Sequence, residues 1–251
     1  MIAHNARPSG GLCVLQSLDS MHIAPSSVAD VELIGPDAPK FSESITLLAG
    51  GDPADALQPA LPYSVIVKNN GARPLALLGV RFDMVSRQKK PYSVVHYADT
   101  LRHPEKTTLI PGAMRFVCAE PSYTYMVLRR ESHVDRRSSM NLENLASAVR
   151  VAVSLDCVAF DDGQFAGPDS NGAFDRLQRE REAECALIEE VRKAASGVEA
   201  LLAQAIEAPD KPARRALAKE FHTALAAGEL AARVGNHRLR IALWRDGSRL
   251  R

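Results

Sequence analysis

The chain has 251 residues, with 31 Lys and Arg against 30 Asp and Glu and a formal net charge of +1. That length allows one large domain or two small ones, and the balanced charge removes any whole-protein argument for nucleic acid or an anionic membrane as partner. No run approaches the roughly 18 apolar residues of a membrane-spanning helix, and no basic stretch leads into a sustained apolar segment as a secretory signal would, which favours the cytoplasm.

Residues 1–27 are rich in Gly, Ser and Pro without a period and read as a flexible N-terminal arm. Short strand candidates follow at 31–34 and 44–48, and Gly50-Gly51-Asp52-Pro53 marks a loop. From Leu61 the β pattern strengthens. LPYSVIVKN places Tyr63, Val65 and Val67 on one side, while LALLGVRFDMV places Leu78, Val80, Phe82 and Met84 on one side and Arg81 and Asp83 on the other. Asn69-Asn70-Gly71 and Pro74 between them predict a turn or an arch. Further strands are expected at 92–97, 113–119 and 123–128, with prolines at their borders, where a missing donor does no harm. Residues 129–147 form a charged excursion without alternation.

The stretch 149–193 organises the chain. Val149, Val151, Val153, Leu155 and Cys157 recur at every second position, with Arg150, Ser154 and Asp156 on the opposite face of a half-buried strand. Asp162-Gly163 supplies a hairpin turn and Gly167-Pro168-Asp169 ends the strand region. Helical spacing then begins at Phe174, with Asp169, Ser170 or Asn171 as N-cap. Counting an arm at 164–166, about eight or nine short strands precede this point, the pattern of an antiparallel sandwich.

The run YSVIVKNNGARPLALLGVRF resembles the second and third strands of immunoglobulin-like or fibronectin-III-like modules. Together with SLDCVAFDDGQFAGPDSNGAFDRLQ it is similar to uncharacterised bacterial proteins that append helices to such a sandwich. The resemblance covers about Leu61 to Arg192, implies no catalytic residue, and lacks the usual core Trp, since Trp244 is the chain's one tryptophan. The expected architecture is an antiparallel immunoglobulin-like β-sandwich over 28–167, followed by a C-terminal α-helical hairpin within 168–251.

In that helical region Phe174, Leu177, Ile188, Val191, Val198 and Leu202 recur at spacings that leave a stripe interrupted by Arg181 and by the Glu184-Cys185 step. A second helix presents Leu217, Phe221 and Leu225. The incomplete stripe makes Ile188 and Val191 candidates for a partner or self-association surface. The tail adds Arg238, Arg240, Trp244 and Arg245, a basic apolar segment that either docks on the protein with its arginines extended or holds an anionic partner.

Four cysteines show no metal-ligand spacing, and Cys118 and Cys157 read as two separate core thiols, with a disulfide between them as the alternative. An EF-hand template started at Asp169 fails at its turn, where Phe174 replaces the required Gly. Seven histidines include no HxH or HxxxH pair. The sequence therefore assigns no catalytic, cofactor-binding or metal-ligating residue. It points to a non-catalytic interaction or structural module that binds a protein partner or a second copy. One alternative is an enzyme or small-ligand or metal binder using dispersed residues such as His96, His133, Asp161 or His222. Another is anion binding by the Arg-rich tail.

Overall fold

The apolar runs around Val65, Val80 and Val153 become the centres of two sheets rather than of one closed sandwich. The structure is a computed structural model, and it describes residues 20–51, 55–87, 90–100, 108–129, 145, 147–194, 196–208 and 212–236. Strands are β1 (Ser20–Ile23), β2 (Val31–Ile34), β3 (Ser64–Asn69), β4 (Leu75–Ser86), β5 (Pro91–Asp99), β6 (Met114–Cys118), β7 (Ala148–Phe160) and β8 (Phe165–Ala166). Helices are α1 (Pro39–Ala49), α2 (Pro121–Arg129), α3 (Ala173–Lys193), α4 (Val198–Glu207) and α5 (Pro212–Ala226), and a further helical segment begins at 230.

The larger sheet has the order β1-β7-β4-β5, with β8 folded back on β7, and the smaller has the order β2-β3-β6. Pairing is antiparallel except that β1 runs parallel to β7, with His22 opposite Ala152. This parallel pairing and the helices between strands make an α/β fold and overturn the antiparallel immunoglobulin-like sandwich. Part of the expected arm, 20–23, is a sheet strand.

Two expected strands are helices, for the same reason. In α1 the buried side chains are Phe41, Ser44 and Ile45, a helical spacing, while Leu47 is 68% exposed; a strand would have buried alternate residues. Pro39 in the first turn and Gly50 at the C-cap are start and stop signals. In α2, Tyr123, Thr124, Met126 and Val127 are buried, so the apparent alternation of Tyr123, Tyr125 and Val127 is part of a helical stripe. Thr124 of that helix accepts a hydrogen bond from the Cys118 amide, 2.9 Å, which ties α2 to the end of β6.

One hydrophobic core joins the inner face of the larger sheet, through Leu78, Val80, Phe82, Val153 and Leu155, to the smaller sheet, α1 and α2. β3 is buried along nearly all its length, as a strand covered on both faces must be. The link between β3 and β4 is an arch between sheets. Buried Asn69 clasps it, donating from Nδ2 to the carbonyls of Arg73 and Leu109 and accepting from the Gly71 amide.

The helices build a second core, with Leu187, Leu202, Ala218 and Phe221 fully enclosed. Among the described residues four helical segments stand where a hairpin of two was expected, because the chain breaks between Lys193 and Val198 at Gly197 and again at Gly228, after α5. Helix α3 belongs to both bodies: Ala173 and Leu177 pack with Cys157, Ala159 and Phe165 on the outer face of the larger sheet, while Leu187, Ile188 and Val191 enter the helical core. The interruption seen in the sequence lies between them. Arg181 and Glu184, 6% and 8% exposed, form a buried ion pair, and Arg181 Nε and Nη2 have no hydrogen-bond partner.

A buried pair loses desolvation energy that its mutual attraction only partly returns. Glu184→Leu, which strands the guanidinium, is expected to lower unfolding free energy by about 3–5 kcal/mol in urea titrations. Combining it with Arg181→Met is expected to restore wild-type stability or exceed it. A single variant as stable as the wild type would show that solvent already reaches the pair.

Candidate functional site

The outer face of the larger sheet carries two polar regions, one closed and one open. The closed region starts from an irregularity in β7. Gly79 of β4 lies opposite Cys157, but the next residue, Val80, lies opposite Leu155, so Asp156 is the extra residue of a β-bulge. Its carboxylate, 1% exposed, is turned toward the loop that leads into α3. Asp156 Oδ1 accepts from the Ser170 amide at 3.0 Å and from the Ser170 hydroxyl, and Oδ2 accepts from the Tyr97 hydroxyl at 3.3 Å.

Two close approaches make this packing a glycine requirement. A Cβ on Gly79 would stand 2.7 Å from Cys157 Sγ and 2.9 Å from the Tyr97 ring, and one on Gly167, where φ is 110°, would stand 2.6 Å from the Asp156 carbonyl oxygen. Beyond Gly167, Asp169 adopts φ 56° and its amide donates to the same carbonyl at 2.9 Å. Its carboxylate accepts from the amides of Ala173 and Phe174, the first free donors of α3. Of the three N-cap candidates, Asp169 does the capping, reaching across Gly172 at the helix boundary.

Asp156, Cys157 and Asp169 each offer one metal-type ligand atom, all within 4.8 Å of one another, the one such group among the described residues. Their chemistry fits a clasp better than a cation site, because the two carboxylates already accept from three backbone amides and two hydroxyls. A cation would have to compete with the helix for Asp169. Tyr97 agrees with this reading: burial, then Cys157 and Asp156, push its hydroxyl up to about 12, against weaker opposite effects of Asn171 and Arg176. The Arg176 guanidinium stands 5.1 Å from the Tyr97 ring centre.

The open region lies further along the same face. His22 of β1 is opposite Ala152 of β7, Ala152 is opposite Asp83 of β4, and Asp83 is opposite Ser93 of β5, so one transverse row crosses all four strands. With Arg150 and Tyr92 these residues line a cavity of about 340 Å³ whose floor is the small Ala152. Asp83 is fixed from two sides: both its oxygens accept from Arg81 Nε, at 2.8 and 2.9 Å, and Oδ1 also accepts from the Ser93 hydroxyl. Arg81 Nη2 completes the ring by donating to Ser93 Oγ at 3.2 Å.

The structure does not gather the sequence-derived candidates. Ile188 and Val191, proposed as a partner surface, are 2% and 6% exposed inside the helical core. Arg238, Arg240, Trp244 and Arg245, and also His133, lie outside the described residues. His96 is buried on the inner face of β5 with its ring 6.4 Å from that of Tyr125, Asp161 is exposed at the β7–β8 turn, and His222 is exposed on α5. Cys118 and Cys157 are both buried and are not joined in a disulfide. They belong to different cores on opposite faces of the larger sheet, and burial pushes the Cys118 thiol up to about 12.

Sequence reasoning placed Arg81, Asp83 and Arg150 on the solvent side of their strands but missed that they meet. It left His22 in an arm and gave Ser93 no role. The usable signal was the set of polar alternate positions on three strands; the pairing that brings them into one row is tertiary. No family model, curated protein or solved structure matches the chain.

The clasp gives two expectations. Asp169→Ala is expected to lower unfolding free energy by about 1–2 kcal/mol through loss of the cap, with a smaller loss for Asn, which tolerates positive φ; equal effects would show that the cap is not the residue's contribution. Because folding raises the Tyr97 pKa from 10.0 to about 12, its stabilisation is complete below pH 10 and is lost as pH rises toward 12. Tyr97→Phe should therefore flatten the alkaline decline in stability and remove the last phase of a tyrosine absorbance titration. An unchanged titration would show that Tyr97 ionises like an exposed tyrosine.

Proposed function

We propose that the chain is a non-catalytic binding module that receives its partner on the open outer face of the larger sheet. The observation that supports this most is the cavity assembled from all four strands of that sheet, in which polar side chains converge over an apolar lining and the one acidic side chain is held in place by Arg81 and Ser93. Rigid strands that present convergent polar groups around a small-residue floor are the ordinary setting of a ligand or partner site.

The perturbed groups favour binding over catalysis. A general base or nucleophile works best with a pKa near the operating pH, whereas burial moves Tyr97 and Cys118 upward to about 12. The Ser93 hydroxyl faces a carboxylate already neutralised by Arg81. Nothing in that arrangement activates it as a nucleophile.

Mapping a fragment library by amide chemical-shift changes in the full chain tests the proposal. Shifts are expected to concentrate at 20–23, 83–85, 91–93 and 150–152, and Ala152→Trp, which fills the cavity floor, is expected to abolish them. Fragments that settle elsewhere, or that bind the Trp variant equally well, would refute it.

A further inference from the structure

The cavity described above is not evenly charged. At its β4 and β5 side Asp83 is matched by Arg81, and the two hold each other and Ser93 in a closed ring of hydrogen bonds. At its β1 and β7 side Arg150 and His22, both exposed, make no hydrogen bond or ion pair with any of the described residues. An exposed arginine alone is unremarkable on a protein surface. Here it lies two residues along β7 from Ala152, the cavity floor, with His22 directly across from that floor on β1, so both basic side chains line one wall of a concave site.

We propose that this wall is an anion subsite and that the cavity takes a small ligand with an oxyanion at one end and hydroxyl groups at the other; this rests on the binding reading of the cavity given above. A guanidinium offers paired donors that match the oxygens of a phosphate or carboxylate, and the imidazole adds a third donor. The opposite wall suits hydroxyls. Among the described residues Asp83 Oδ2 accepts only from Arg81 Nε, at 2.9 Å, and retains capacity for another donor, while the Ser93 hydroxyl can turn between Asp83 and a ligand. His22 and Asp83 stand two strand spacings apart, roughly 10 Å at about 4.8 Å each. A monosaccharide phosphate has that length and that division of charge.

Titration of the full chain with glucose 6-phosphate, glucose, gluconate and inorganic phosphate, followed by amide shifts, tests the inference. Glucose 6-phosphate is expected to bind at least about tenfold more tightly than glucose, and Arg150→Ser to remove about that factor for the anions while leaving glucose unchanged. Asp83→Asn should weaken glucose and its phosphate alike. Gluconate binding on a par with the phosphate ester would mark the subsite as one for oxyanions in general, and weaker gluconate binding as one for phosphate; both outcomes uphold it. Equal affinity for glucose and its phosphate, an Arg150→Ser variant that binds the anions as the wild type does, or no binding of any probe would overturn the anion subsite. Fragment binding at the cavity that Ala152→Trp abolishes would survive that result, so the two readings fail separately.

Discussion

Asp156 holds the turn that carries the chain from its longest described strand into its longest described helix, and the way the helical core is joined to the outer face of the larger sheet follows from that turn. The side chain and carbonyl of this one residue receive hydrogen bonds from Ser170 and from the Asp169 amide. They fix the direction in which α3 leaves the sheet. The β-bulge completes the arrangement: strict alternation already sends Asp156 outward with Arg150 and Ser154, and the extra residue re-aims Cys157, which would otherwise have faced inward with Val153 and Leu155, so that it lies on the same outer face. An unpaired buried carboxylate would be costly; here the cost is offset by donors that the strand-to-helix turn must place somewhere in any case.

The clasp also divides the outer face of the larger sheet. On its near side Ala173, Phe174 and Leu177 cover Cys157, Ala159 and Phe165. On its far side α3 has already turned away toward the helical core, and the face carries Arg81, Asp83, Ser93 and Arg150 instead of apolar residues. The sequence of β4 records the division: Leu77 and Gly79 lie under the helix, and Arg81 and Asp83 lie beyond it, all on one face. Apolar residues at the last two positions would have asked for a cover that α3 cannot give. The buried Arg181–Glu184 pair is the same boundary seen on the helix, where it leaves one core and has not yet entered the other.

The sequence was legible where one periodicity had no competitor. The long alternation in β4, that in β7 as far as Leu155, the Asp162-Gly163 hairpin and the helical stripe as far as Val191 stand where their spacing puts them, whereas the bulge at Asp156 turns Cys157 to the face opposite the one its spacing predicts. It was misleading at α1 and α2, whose short apolar runs fit both periods and whose prolines were read as strand borders instead of helix starts. It could not show that 20–23 adds a parallel strand, because that pairing joins segments about 130 residues apart. The site was legible only as solvent-facing residues. His22, Asp83, Ser93 and Arg150 become one row through sheet order, which no local pattern states.

Sheet order also bears on the recognition proposed for this row. Each contributing residue sits within a strand whose ladder fixes its position, and Asp83 is held further by Arg81 and Ser93, so little freedom is lost when a ligand arrives at that wall. Arg150 and His22 are different: they are anchored at the backbone, no described residue holds their tips, and a ligand at the proposed subsite would have to order them. The cavity thus joins a preorganised neutral wall to an adaptable cationic one. Orientation comes from the first, while the second supplies attraction that weakens with salt because its groups are exposed.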